Sequence, residues 1–226
     1  IERYWPLMNP EGVLGGILMP RDGSANPIDL TMALAKGARQ HQAEILEGVQ
    51  VQQVLVEGAR AVGVATDHGT ITAEVVVNCG GMWARELGQQ HGVGVPLHAC
   101  EHYYLVTESI DELPRDLPVL RWYCDGTYFK EDAGKLLFGF AHHHAKPWAT
   151  AGIPEPFSFE SLPFIEDDVM DVIEMAMKRV PLLEQVGIRT FFNGPESYSY
   201  DGQFTLGTAP DLSNYFMLAG LNSTGI

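Results

Sequence analysis

An apolar run, YFMLAG from Tyr215 to Gly220, leads directly into Leu221, Asn222, Ser223 and Thr224. The run predicts a short buried strand, and Asn, Ser and Thr are the residues that cap helix N-termini. A strand feeding a helix N-terminus aims free backbone N–H groups and a positive partial charge at whatever sits above it. The turn therefore suits an anionic or electron-rich group. A second turn has the same form: EVVVN, Glu74 to Asn78, is followed by Cys79, Gly80 and Gly81 and then by the helical opening MWAREL. Ligands of open α/β sheets lie beyond the carboxyl ends of strands, where glycine lets the backbone approach closely. A glycine pair is equally a common tight turn. Two other groups invite chemistry and offer less. Adjacent strand residues alternate faces, so His142, His143 and His144 cannot all converge, and no carboxylate or Cys stands at ligand spacing; no metal site is expected. Cys79, Cys100 and Cys124 are odd in number and far apart, with no CxxC, which fits reduced apolar thiols better than a disulfide framework.

The elements that must position these turns follow from periodicity. Ile28 to Gln40 carries Leu30, Leu34, Ala35 and Ala38 at helical spacing after an Asn26-Pro27 start signal. Short strand-like runs come next, EIL around Ile45, VQVQQVLVEG, RAVGVAT and GTITA, with hairpin-type breaks at Glu57-Gly58 and His68-Gly69. EVVVN shows no alternation and reads as a strand buried on both faces. From Pro96 the character changes to HYYLVTE, PVLRWY, GTYFKE and KLLFGFA between Pro- and Gly-rich turns, an antiparallel pattern. Glu166 to Val180 is the clearest helix, with Val169, Val172, Ile173, Ala176 and Val180 on one stripe and acidic residues at its start. An α/β part at both ends thus encloses a β-rich part: residues 1–95, 96–205 and 206–226.

Bulk properties exclude several functions. The net charge of −15 argues against nucleic acid or an anionic membrane surface as partner. Gly, Pro or charge interrupts every apolar run, so no stretch predicts a membrane span. The 46% apolar content is ample for a core. The chain starts at Ile1 without a signal peptide and stops where a helix should begin, which reads as an internal piece of a longer protein.

Six stretches in order resemble the dimethylglycine/sarcosine dehydrogenase family, within the D-amino-acid-oxidase-like flavoproteins. They are GGILMPRDGSANPIDLTMALAKGAR, VVVNCGGMWARELG, VPLHACEHYYLVTE, GTYFKEDAGKLLFGFA, NGPESYSYDG and YFMLAGLNSTGI, spanning nearly the whole chain. The resemblance implies an α/β (α+β) fold, part of an FAD-binding dinucleotide-type domain with an inserted antiparallel-sheet substrate domain. The reduced-thiol pattern of the cysteines fits a cytoplasmic or mitochondrial matrix location, and the resemblance implies FAD as cofactor and oxidative demethylation of a small-molecule N-methylated glycine, sarcosine or dimethylglycine, by hydride transfer to flavin. It further implies an electron-transfer flavoprotein or oxygen as electron acceptor, and a folate-binding domain farther along a parent chain. The GxGxxG turn that cradles the FAD pyrophosphate is not among these residues. The isolated segment is accordingly expected neither to hold FAD nor to be active. A non-catalytic relative, the regulatory subunit of pyruvate dehydrogenase phosphatase, resembles PLHACEHYYL as well and offers a second reading.

Residue by residue, the resemblance places His102 at an active-site histidine and Tyr128 at a tyrosine facing flavin and substrate. A neutral imidazole suits proton transfer from the amine, and a phenol suits substrate hydrogen bonding. Val51 corresponds to a backbone contact on the adenine side of FAD, and Gly80 and Gly81 to the strand-end turn. Gly220, Leu221, Asn222, Ser223 and Thr224 correspond to the flavin-facing turn. In SYSYDGQF, Tyr200 and Phe204 replace the prolines usual in the family, removing two φ constraints near the pocket.

Overall fold

The computed structural model describes residues 1–140 and 145–223; the His142, His143, His144 run and Thr224 lie outside the described residues. In chain order the elements are α1 (Pro27–Gln40), β1 (Val51–Glu57), β2 (Arg60–Thr66), β3 (Gly69–Thr72), β4 (Val76–Asn78), α2 (Ala84–Gln89), β5 (Leu97–Thr107), β6 (Leu120–Arg121), β7 (Thr127–Asp132), β8 (Lys135–Phe140), α3 (Met170–Arg179), β9 (Ile188–Ser199), β10 (Thr205–Thr208) and β11 (Tyr215–Ala219). They divide into two compact units. One comprises Ile1–Ser24, Glu101–Lys146 and Ser158–Gly194; the other comprises Ala25–Cys100, Pro147–Phe157 and Pro195–Ile226. No helix among the described residues is long and apolar enough to cross a membrane.

In the first unit the sheet order is β6-β7-β8-β5-β9, with β7–β8 and β8–β5 antiparallel. The β7–β8 hairpin closes at Ala133-Gly134, both at positive φ, as a tight turn between twisted strands requires. α3 lays its stripe on this unit's apolar core: Val169, Val172, Ala176 and Val180 are buried as their spacing predicts. The helix is shorter than the pattern, because Glu166–Asp168 is a 3-10 turn and the α-helix begins at Met170. Asp171 in its first turn and Lys178 and Arg179 in its last agree in sign with the helix dipole. The PVLRWY stretch shrinks to Leu120–Arg121, since the Trp122 N–H turns to donate to Thr127 O and the Gly126 N–H donates to Trp122 O.

The second unit holds two three-stranded sheets, β1-β2-β3 and β10-β11-β4. Hairpin turns at Gly58 and Gly69 connect the former, both glycines lying at positive φ. In the latter, β10 and β11 are antiparallel, while β11 and β4 run parallel with Phe216 beside Val77. α1 starts where Asn26 Oδ1 accepts the N–H groups of Ile28 and Asp29, with Pro27 at the first helical position.

Two strand expectations are corrected. The EIL run around Ile45 forms no strand. EVVVN is not buried on both faces: Val76 and Asn78 are 8% and 2% exposed, whereas Val75 and Val77 are 48% and 57% exposed. YFMLAG behaves alike, with Tyr215, Met217 and Ala219 inward and Phe216 outward. The cause is the period-two geometry of a strand whose sheet is packed on one face only among the described residues. A parallel pair can carry an unbroken apolar run whether or not both faces are covered, so the pattern alone could not settle it.

Candidate functional site

The antiparallel sheet of the first unit builds one side-chain pair. β5 presents His102, β7 presents Tyr128, and β8 lies between them. His102 Nε2 and Tyr128 Oη are 3.2 Å apart, and the rings stack at 6.3 Å with 15° between planes. The pair spans a whole strand because the residue beneath the phenol is Gly139, opposite Tyr128 on one side and Tyr104 on the other. A Cβ added at Gly139 would stand 2.6 Å from Tyr128 Oη and 2.8 Å from Tyr103 O. Glycine is required here for close approach rather than for a special φ. His102 is buried, and Phe140 stacks on it at 6.4 Å.

Because strand neighbours face opposite ways, Glu101 and Tyr103 point away from His102. There they form a polar network: Tyr103 Oη donates to Glu101 Oε2 at 2.7 Å and lies 3.3 Å from Asp168 Oδ2. Asn193 Nδ2 donates to Glu101 Oε2 and to Pro163 O, and the Lys146 ammonium pairs with Asp168. Burial, reinforced by the Glu101 carboxylate, pushes the Tyr103 hydroxyl well above the ordinary tyrosine value. That network fixes the strand from behind and leaves the His102–Tyr128 pair on the other face.

The second unit brings two backbone turns together. β4 and β11 are adjacent and parallel, so their carboxyl ends open at the same edge of the sheet. β4 runs out into Cys79, Gly80 and Gly81; β11 runs out into Gly220, Leu221, Asn222 and Ser223. Asn78 organises the first turn: its Oδ1 accepts the Gly80 N–H at 3.0 Å, and its Nδ2 donates to Ala84 O and to Tyr215 Oη. Asn222 organises the second. Its Oδ1 accepts the Ser199 N–H at 2.8 Å, and its Nδ2 donates to Gly220 O and Ser199 Oγ. Gly220, Asn222 and Ser223 all have positive φ, +71°, +54° and +60°. Left-handed backbone at two non-glycine residues in succession costs energy, and the hydrogen bonds of Asn222 are what hold it. Tyr198 Oη lies 3.3 Å from Ser223 Oγ and donates to Glu196 Oε2 at 3.0 Å, while Ser223 Oγ also donates to Glu196. Burial first, then the Glu196 charge, raises the Tyr198 hydroxyl.

Val51 opens β1 in the other sheet, paired with Thr66 and exposed, and the structure does not bring it to the two turns. The three cysteines are free thiols, Cys79 and Cys124 exposed and Cys100 buried, and burial raises the Cys100 thiol. Sequence reasoning missed Gly139, Asn78 and Ser199. Only Gly139, a glycine inside a strand pattern, carried a signal that could have found it.

A profile described as FAD dependent oxidoreductase (DAO) matches residues 1–226. The chain belongs to the DAO family of FAD dependent oxidoreductases. The 4-methylaminobutanoate oxidase (formaldehyde-forming) of Paenarthrobacter nicotinovorans is 38% identical, over 100% of this chain and 28% of its own length. Mitochondrial dimethylglycine dehydrogenase of Homo sapiens is 36% identical over 97% of the chain and 26% of its own length. The mitochondrial pyruvate dehydrogenase phosphatase regulatory subunit of Mus musculus is 33% identical over 98% and 25%. The chain thus spans about a quarter of the length of these curated relatives. Among solved structures, L-proline dehydrogenase from P. horikoshii matches with a TM-score of 0.83 at 22% identity, over 98% of this chain and 57% of that one. That likeness confirms the fold: mixed α/β with antiparallel sheets, as the DAO resemblance implies.

FAD is the cofactor of the DAO family, and the residues present fit part of it. Both turns lie at the carboxyl edge of parallel strands, where such folds bind ligands. Space for close approach exists, since a Cβ at Gly81 would meet nothing within 4 Å. A pyrophosphate cradle of the GxGxxG type is not among these 226 residues.

Proposed function

We propose that the intact protein oxidatively demethylates an N-methylated glycine, sarcosine or dimethylglycine, with His102 and Tyr128 at the substrate. The hydrogen-bonded His102–Tyr128 pair carries this reading. Relatives whose names specify methylamino or dimethylglycine substrates support it.

Bound FAD supplies the hydride acceptor. The chain's own residues handle the proton. An N-methylglycine is a zwitterion in water, and its methyl carbon releases hydride only when the nitrogen lone pair is free. His102 Nε2 and Tyr128 Oη form a path along which the ammonium proton leaves, the imidazole taking it directly or through the phenol. The network behind β5 holds His102 in place, and the Gly139 gap sets the depth of the phenol. Loss of hydride leaves an iminium on the substrate. Water adds to it, releasing formaldehyde and the demethylated amine, or the one-carbon unit passes to folate bound elsewhere in the polypeptide. Gly80, Gly81, Gly220, Leu221, Asn222 and Ser223 would meet the cofactor through backbone, and Val51 its adenine side. Electrons then leave to an electron-transfer flavoprotein or to oxygen, in the cytoplasm or the mitochondrial matrix.

The similarity to the phosphatase regulatory subunit favours one alternative, a non-catalytic protein on the same scaffold. Anaerobic mixing of the flavin-loaded full-length protein with sarcosine or dimethylglycine separates the two. Prompt bleaching of the flavin with formaldehyde formation is expected, whereas an oxidised flavin inert to both amines would establish the regulatory reading. Loading the isolated 226-residue chain with FAD tests the related expectation that it neither retains flavin nor turns over.

A further inference from the structure

Within the second unit a cavity of about 330 Å³ lies between α2 and the 149–153 turn, and the proposed chemistry does not use it. Its walls include Arg85, Glu86 and Gln89 from α2 and His98 from β5. Arg85 is the unusual member. In a chain with 14 Lys and Arg against 29 Asp and Glu, carboxylates are in excess, yet this half-buried guanidinium forms no ion pair among the described residues. Its recorded partner is His98, whose Nδ1 lies 3.0 Å from Arg85 Nη1. A guanidinium only donates, so Nδ1 accepts and the ring proton sits on Nε2. Nε2 is enclosed and has no acceptor among the described residues. The cationic fork thus stands at the cavity wall without an anion among the described residues.

The opposite charge is present on the same wall. Glu86 Oε1 accepts the Ile153 N–H at 2.7 Å, which ties the turn to α2 and fixes the carboxylate beside the cavity. The turn is itself well defined, with Ala149 and Gly152 at positive φ and the Gly152 N–H donating to Ala149 O. Its base is anchored by Trp148 N–H donating to Ala99 O. A fixed carboxylate repels phosphates and dicarboxylates and attracts an ammonium, while the planar guanidinium fork matches a carboxylate. We infer that this cavity binds a small zwitterionic amino acid, its carboxylate on Arg85 and its ammonium on Glu86, as a site separate from the His102–Tyr128 pair.

Calorimetric titration of the protein with glycine tests this, with acetate and methylamine as half-ligands. Glycine carries no N-methyl group, so binding is read without turnover. The expected result is saturable glycine binding, tighter than either half-ligand, that falls about tenfold or more in Arg85→Met and in Arg85→Lys, which keeps the charge and loses the fork. Glu86→Gln, which keeps an acceptor for the Ile153 N–H, should weaken glycine while acetate binds no more weakly, since the neighbouring negative charge is gone. Melting curves identify a variant that fails to fold, and Arg85→Lys then decides. Absence of saturable glycine binding, binding indifferent to both Arg85 variants, or acetate and phosphate binding as well as glycine would each overturn the inference. None of these outcomes touches the amine-oxidation reading, which is tested on the flavin.

Discussion

The two compact units solve the problem of making a site in opposite ways. In the unit built on β6-β7-β8-β5-β9, a histidine and a tyrosine from separate strands meet across an intervening one, and a glycine in that strand makes room. In the unit holding β10-β11-β4, the features at the sheet edge are backbone: two turns at the ends of parallel strands, shaped by Asn78 and Asn222. A side-chain site is sensitive to which functional group is present. A backbone site is sensitive to whether its conformation is held. Substitutions in the two units should therefore fail in different ways, one in rate and the other in cofactor retention.

The sharpest contrast is expected from Gly139→Ala. The new Cβ would sit 2.6 Å from Tyr128 Oη and 2.8 Å from a backbone oxygen, so the phenol or the strand must shift. Overpacking of this kind costs roughly 1–3 kcal/mol of stability. Displacing the pair should slow flavin reduction about a hundredfold with flavin content unchanged. Next comes Asn222→Ala, which removes several buried hydrogen bonds and leaves alanine at φ +54°. A loss of about 1–3 kcal/mol is expected in denaturant melts, with weakened flavin retention and a near-normal reduction rate in the molecules that keep it. Tyr128→Phe keeps the ring and removes the hydrogen bond to His102, so about a tenfold slower reduction with flavin retained and a melting change of about 1 kcal/mol or less sharpens the same division.

Alkaline pH tests a feature both units share. Tyr103 and Tyr198 are each buried against a carboxylate, and each hydroxyl is raised above the ordinary tyrosine value of about 10. The folded protein then binds more protons than the unfolded chain above that value, so this contribution is fully present below pH ~10 and is lost as pH rises beyond it. Stability should fall on the alkaline side, and Tyr103→Phe should flatten that fall relative to its neutral-pH stability. The smallest effect is expected from Arg39→Ala, which breaks the exposed Arg39–Glu47 ion pair and should change melting by under about 0.5 kcal/mol.

What the sequence revealed follows the same division. His102 and Tyr128 were legible because a family resemblance attaches to side-chain identity, and α3 was legible because its apolar stripe has a 3.6-residue period. The turns at Gly80-Gly81 and Gly220–Ser223 were visible separately as strand-end signals. Their adjacency was not, since the parallel pairing of β4 with β11 joins segments far apart in sequence. Burial of β4 was overread because an apolar run does not say how many faces of its sheet are covered. Asn78 and Ser199 lie at the other extreme: the role of each is set by what lies across from it, Tyr215 in one case and Asn222 in the other. Such contacts have no local signature.

The account rests on the His102–Tyr128 pair acting on the amine rather than merely packing. The most direct measurement is the anaerobic rate of flavin reduction by sarcosine or dimethylglycine in His102→Gln full-length protein with matched flavin occupancy. Loss of a proton acceptor predicts a rate lower by about 10²–10⁴-fold with flavin content and melting preserved. A variant that reduces its flavin at the wild-type rate would contradict the account.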